Sequence, residues 1–132
     1  VYGEQRGAAL GDFNRDARVD LAVSQNGAAT KLYRNQTPAQ GVRVVLQGPP
    51  ANREAYGAGV RVVYADGSKG PLRNVQAGSG YWSQNSAVQV LGTAQEPAQI
   101  EVTWPGGETE VVPLEENQNE IVINHPDRSA DF

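Results

Sequence analysis

Short apolar runs alternating with polar residues recur along the chain, and none keeps a helical period. In Val42-Arg43-Val44-Val45-Leu46 the side chains of Val42, Val44 and Leu46 fall on one face of a strand, and in Gly59-Val60-Arg61-Val62-Val63-Tyr64 so do Val60, Val62 and Tyr64, because successive residues of an extended chain point to opposite sides. Both read as half-buried antiparallel strands. Asp66-Gly67 turns the second of them into a strand over 72–75, and Pro105-Gly106-Gly107 joins a strand over 100–104 to one over 110–112; each is a hairpin signal. Further strands are predicted over 87–91 and 120–123. The chain thus reads as all-β, a meander or an antiparallel β-sandwich closing on one apolar layer.

The part before Pro38 differs in kind. It offers a strand over 8–10, a loop dense in Asp and Asn, a strand over 19–24, an Asn26-Gly27 turn and a strand over 30–34. Thr37-Pro38-Ala39-Gln40-Gly41 is short and rich in breakers, so the joint is placed there. The expected division is a repeat-like unit over 1–37, a sandwich over 38–124 and a tail over 125–132.

Composition narrows the function classes. A net charge of −4, from 11 Lys+Arg against 15 Asp+Glu, with no basic cluster, argues against nucleic acid or an anionic membrane as partner. The late run of glutamates, Glu96 to Glu120, reads as a solvated face. Without cysteine there is neither a disulfide framework nor a thiolate. No apolar run reaches the roughly 20 residues a membrane span needs. Methionine is absent even at position 1, and the start at Val1-Tyr2-Gly3 suggests a piece of a longer polypeptide.

The sharpest chemical signal is Gly11-Asp12-Phe13-Asn14-Arg15-Asp16-Ala17-Arg18-Val19-Asp20-Leu21. Oxygen side chains recur at alternate positions, which suits calcium: a hard cation takes six to eight oxygens at about 2.3–2.6 Å. Asp12, Asn14, Asp16 and Asp20 are the expected side-chain ligands and the carbonyl of Arg18 a fifth donor, while Phe13, Arg15 and Val19 point away. An EF-hand is excluded, since its twelfth position, here Val23, requires a glutamate. The alternative is a polar turn in which Asp and Asn bond their own backbone; three carboxylates in nine residues repel one another unless a cation offsets them.

These residues resemble the calcium loop of FG-GAP, or VCBS-type, repeats, the blades of integrin-like β-propellers. The resemblance implies a remnant of one such blade and places Asp12, Asn14, Asp16 and Asp20 on the ligand positions. Ala17 stands where that pattern has Gly, so strain at a positive φ is expected there. The remainder resembles the ASPIC/UnbV domain, through Asn52-Arg53-Glu54-Ala55-Tyr56-Gly57-Ala58-Gly59-Val60, Gly78-Ser79-Gly80-Tyr81-Trp82-Ser83-Gln84-Asn85-Ser86, Val102-Thr103-Trp104-Pro105-Gly106-Gly107 and Glu116-Asn117-Gln118, over about 41–123. Val90-Leu91-Gly92-Thr93-Ala94 departs from the aromatic-glycine strand end of that pattern. What the resemblance implies is a secreted or cell-surface module with a protein or glycan partner, calcium as its cofactor and no reaction of its own.

The residues agree with a non-enzymatic reading. The lone histidine, His125, lies beside Pro126 and is expected to be solvated, and triad chemistry needs a base held against a nucleophile. Carboxylate-pair glycoside hydrolysis stays open as the chemistry of a hydrolase or its accessory domain, with no pair distinguished. Tyr81 and Trp82, with Gln84 and Asn85, form a possible sugar platform, but packing is the commoner use of such aromatics, so Trp82 is expected to be at least partly buried. Arg53 is expected to anchor a loop on backbone carbonyls. Asn35-Gln36-Thr37 fits an N-glycosylation acceptor in a eukaryote.

Overall fold

The computed structural model describes residues 4–127; Val1-Tyr2-Gly3 and the last five residues of the tail lie outside them. Ten strands follow one another: β1 Glu4–Gly11, β2 Asp20–Asn26, β3 Lys31–Tyr33, β4 Val42–Gln47, β5 Gly59–Tyr64, β6 Arg73–Asn74, β7 Gln89–Leu91, β8 Pro97–Thr103, β9 Thr109–Pro113 and β10 Glu120–Asn124. They form an antiparallel three-stranded sheet, β1-β2-β3, and a sandwich of two sheets ordered β10-β4-β7 and β6-β5-β8-β9.

The core lies between the two sandwich sheets, because the alternation read from the sequence sends one row from each strand inward. Val42, Val44 and Leu46 from β4 and Ile121 and Ile123 from β10 meet Val60, Val62 and Tyr64 from β5 and Ile100 and Val102 from β8, with Trp104 beside them. Strand β5 is buried on both faces rather than half-buried. On its other side Val63 is covered, and Arg61 joins Lys69 in pairing with Glu101 of β8. Burial lowers an apolar residue's cost wherever it occurs, but a charged row is buried only when it is paired.

One expectation needs correction. Strand β4 is antiparallel to β7, with Val42 opposite Leu91, but parallel to β10, with Glu120 opposite Arg43 and Asn124 opposite Gln47. A parallel pair needs a long crossover, and here the whole second sheet intervenes between the two strands. The arrangement is therefore a sandwich and not a meander. The two hairpins stand: Trp104 N–H to Glu108 O (2.8 Å) closes β8 onto β9, and Tyr64 N–H to Ser68 O (2.9 Å) makes the turn after β5, where Gly67 takes φ +83°.

Strand β1 is longer than its apolar residues indicate. Its polar half, from Glu4, is carried into the sheet by pairing with β2 through a bulge between Gln5 and Gly7.

Candidate functional site

The loop from Asp12 to Asp20 is closed by its own backbone. Asp12 accepts the amides of Asp16 at Oδ1 (3.0 Å) and Ala17 at Oδ2 (3.0 Å), a curl that puts Arg15 and Ala17 at φ +59°. The expected positive φ at Ala17 is therefore present, in a residue that is buried. Asp20, also buried, accepts Asn35 N–H at Oδ1 (2.7 Å) and Phe13 N–H at Oδ2 (3.3 Å). The carboxylate of Asp16 takes Asn14 Nδ2 (2.9 Å) and the amide of Arg18 (3.1 Å). Phe13 and Val19 are exposed, as the alternation requires.

Charge arrives from arginines. Arg18 and Arg34 stand 3.4 and 3.5 Å from Asp16 Oδ2, and Arg43 Nε of β4 stands 3.3 Å from Asp12 Oδ2. Arg43 also holds Glu120 at 2.7 Å, and Glu120 in turn holds Arg15 of the loop at 2.6 Å. Burial pushes the Asp16 carboxyl up, but the Asn14 amide, Arg18 and Arg34 outweigh it and hold it below its ordinary value. The hydrogen bond from Arg15, with Arg43 alongside, likewise lowers Glu120.

The donors are of the kind calcium takes: three carboxylates, an amide oxygen and a carbonyl on one loop. Among the described residues, however, no three acidic side chains converge on one point, because their lone pairs face amides and guanidinium groups. The loop is part of the seam between the three-stranded sheet and the sandwich. Ala17 O accepts Gly41 N–H (2.9 Å) from the joint, where a side chain at Gly41 would meet Leu91 O at 2.5 Å. In the sequence Arg15 stands out only as pointing away from the loop, Glu120 only as part of a solvated run and Arg43 only as a strand residue, whereas the three form one ion-paired chain. Their pairing spans up to 105 residues of chain, so no local pattern announces it.

The second group of residues sits on the connection from β6 to β7. Gly80 and Ser83 form an isolated antiparallel bridge around Tyr81 and Trp82, and Trp82 has φ +52°. Trp82 is 82% exposed and Tyr81 72%, so the burial expected for Trp82 is wrong: the turn points its tip away from the core. Gln84 and Asn85 are not free at the tip. Gln84 Nε2 donates to Tyr56 Oη (2.7 Å) and Asn85 Oδ1 accepts Leu10 N–H (2.9 Å), so both fasten the turn to the molecule.

Two further expectations fail. His125 is not solvated: its side chain is 12% exposed and its ring meets Trp104 edge-on, with centroids 4.8 Å apart. Arg53 is exposed. Asn52 does the anchoring instead, donating to Tyr56 O (2.9 Å) and accepting Tyr56 N–H (3.0 Å). In the glycosylation sequence, Asn35 Oδ1 accepts Thr37 N–H (3.0 Å).

Comparison with known proteins adds the lineage. The chain is 30% identical over 133 residues to cartilage acidic protein 1 of Mus musculus, covering 94% of this chain and 20% of that protein. The same protein of Xenopus tropicalis is 31% identical over 112 residues, covering 80% of this chain and 17% of the relative. The chain thus spans no more than a fifth of these relatives' length. Both alignments cover more of the chain than the residues after Pro38 supply, so the likeness reaches back into the three-stranded unit. Residues 48–130, more than half of the chain, match the family described as ASPIC and UnbV, and the protein belongs to that family.

Proposed function

We propose that this chain is a non-catalytic interaction module of a secreted protein, in which the loop from Asp12 to Asp20 binds one structural calcium ion and fastens a propeller-type repeat to the sandwich. The observation that supports this best is the seam itself. Asp12, its side chain wholly buried, faces Arg43 of the sandwich, so the acidic loop is one of the elements that join the two units. The name of the relatives, cartilage acidic protein 1, supports an extracellular setting.

Calcium would be held by Asp12, Asn14, Asp16, Asp20 and the Arg18 carbonyl, which requires the carboxylates, not convergent among the described residues, to close on the ion. When bound it supplies fixed positive charge against three carboxylates. Because amides and arginines already close the loop, the ion is expected to add stability rather than to create the fold. A ligand that binds only the folded chain adds RT ln(1 + [L]/Kd), about 2.7 kcal/mol at a hundredfold excess over Kd. The test is thermal melting of metal-stripped protein with millimolar calcium and with chelator. A higher Tm in calcium is expected, and superimposable curves would leave the arginines as the loop's sole counter-charge.

A further inference from the structure

The turn Gly80-Tyr81-Trp82-Ser83 spends conformational strain on display. Tryptophan is ill suited to φ +52°, because its Cβ crowds the backbone in the left-handed region. Strain of that kind persists where the surroundings over-determine it, and here they do. A side chain at Gly80 would run into Ser83 Oγ, and one at Gly7 of β1 would meet Trp82 O at 3.0 Å. Ser86 N–H donates to Leu10 O (2.8 Å) and Asn85 N–H to Ser79 Oγ (2.6 Å). The result is two large rings held outside the core, with centroids 5.8 Å apart and planes tilted by 36°.

Polar groups converge beside the rings. Tyr81 and Trp82 line a cleft of about 340 Å³ together with Arg6 of β1 and Asn26 of β2, within the range of small-ligand sites. Glu4 Oε2 accepts from both, at 2.7 Å from Arg6 and 3.2 Å from Asn26. Trp82 also lines a second recess of about 170 Å³, where Ser24, Thr30 and Ser83 stand among the small residues of β1 and β2. Aromatic faces flanked by amide, guanidinium and hydroxyl groups suit a pyranose ring, whose C–H face stacks while its hydroxyls are hydrogen-bonded. The charge balance selects among sugars: the guanidinium of Arg6 is already paired with Glu4, so it offers hydrogen bonds without surplus positive charge for a uronate or sulfate.

We propose that the Tyr81–Trp82 turn, with Arg6 and Asn26, is a binding site for neutral saccharides. This names the partner chemistry of the interaction module and rests on that reading. Pre-organisation of the turn lowers the entropy lost on binding.

The test is an array of neutral and acidic oligosaccharides probed with this chain, followed by calorimetry on the strongest neutral hit. Trp82→Gly, at a backbone angle glycine accepts, is expected to keep or raise Tm and to lose at least tenfold in affinity. Tyr81→Ala is expected to weaken binding with Tm unchanged, and Trp82→Tyr to restore part of it. An array blank for neutral sugars, hits confined to acidic ones, binding indifferent to Trp82→Gly, or a Trp82→Gly protein that loses Tm along with binding would each overturn the proposal. Melting in calcium reads a different part of the molecule, so a calcium response with a blank array refutes the saccharide site alone.

Discussion

Arg43 Nε lies 3.3 Å from Asp12 Oδ2 across the seam between the three-stranded sheet and the sandwich. The pair is electrostatic: Arg43 Nε has no hydrogen-bond partner among the described residues, while Asp12 is satisfied by two amides. Removing the guanidinium leaves a buried carboxylate without its counter-charge, which costs about 3–5 kcal/mol for a fully buried pair. The amides that remain on Asp12 reduce this, so Arg43→Met is expected to lose about 1–3 kcal/mol in urea denaturation. If calcium occupies the loop, its stabilising increment should be larger in Arg43→Met than in the parent. An equal increment in both would show that ion and arginine do not share Asp12.

Acid should loosen the fold through three carboxylates. Hydrogen bonds from Lys69 and Arg61 outweigh burial and hold Glu101 below its usual 4.5; Arg15 and Arg43 do the same for Glu120, and Asn14 and the arginines for Asp16. A group whose pKa is lower folded than unfolded binds protons preferentially when unfolded. Its stabilisation is thus complete above the unfolded pKa and lost as pH falls through the folded one. Tm is expected to be flat above about pH 5.5 and to fall below the usual carboxylate values of about 4. Glu101→Gln should flatten the acid limb at the expense of Tm near neutrality. An acid limb unchanged in that variant would remove Glu101 from the account.

The two tryptophans should separate cleanly. Trp104 is 2% exposed and packs among the core residues, so Trp104→Ala is expected to cost about 3–5 kcal/mol. Trp82→Ala touches no core residue and should stay within about 0.5 kcal/mol. Chemical denaturation of the two variants checks this, and comparable losses would mean that the exposed turn packs in solution.

Sequence pattern revealed the strands well because most of the apolar rows are buried on one face, as in Val42, Val44 and Leu46. It revealed the acidic loop because its oxygen side chains all fall within nine consecutive residues, Asp12 to Asp20. What it missed is non-local. The parallel pairing of β10 with β4 and the ion pairs of Arg43 and Glu120 join residues 77 apart, and no spacing rule connects them. Trp82 was misjudged because its composition is that of a core residue, whereas its exposure is set by the Gly80–Ser83 turn. Arg6 and Asn26 come beside that turn only through the pairing of β1 with β2.

Ala17 tests the loop most directly, since its backbone and its methyl pull in opposite directions. At φ +59° an L-residue is strained by on the order of 1 kcal/mol, which glycine relieves. The methyl group, however, is buried, and removing it forfeits about 0.8 kcal/mol. Ala17→Gly should therefore change stability little. If strain at this residue is what limits the cage, the same variant tightens calcium binding by up to about fivefold, the equivalent of 1 kcal/mol. Asp16→Ala deletes a ligand and should nearly abolish binding, while Ala17→Val places a β-branched side chain in the left-handed region and should destabilise the fold outright. Calorimetric titration of calcium into Ala17→Gly and Asp16→Ala decides the matter. Weaker binding by the first with intact binding by the second would mean that the loop is an acidic turn sustained by amides and arginines, not a calcium cage.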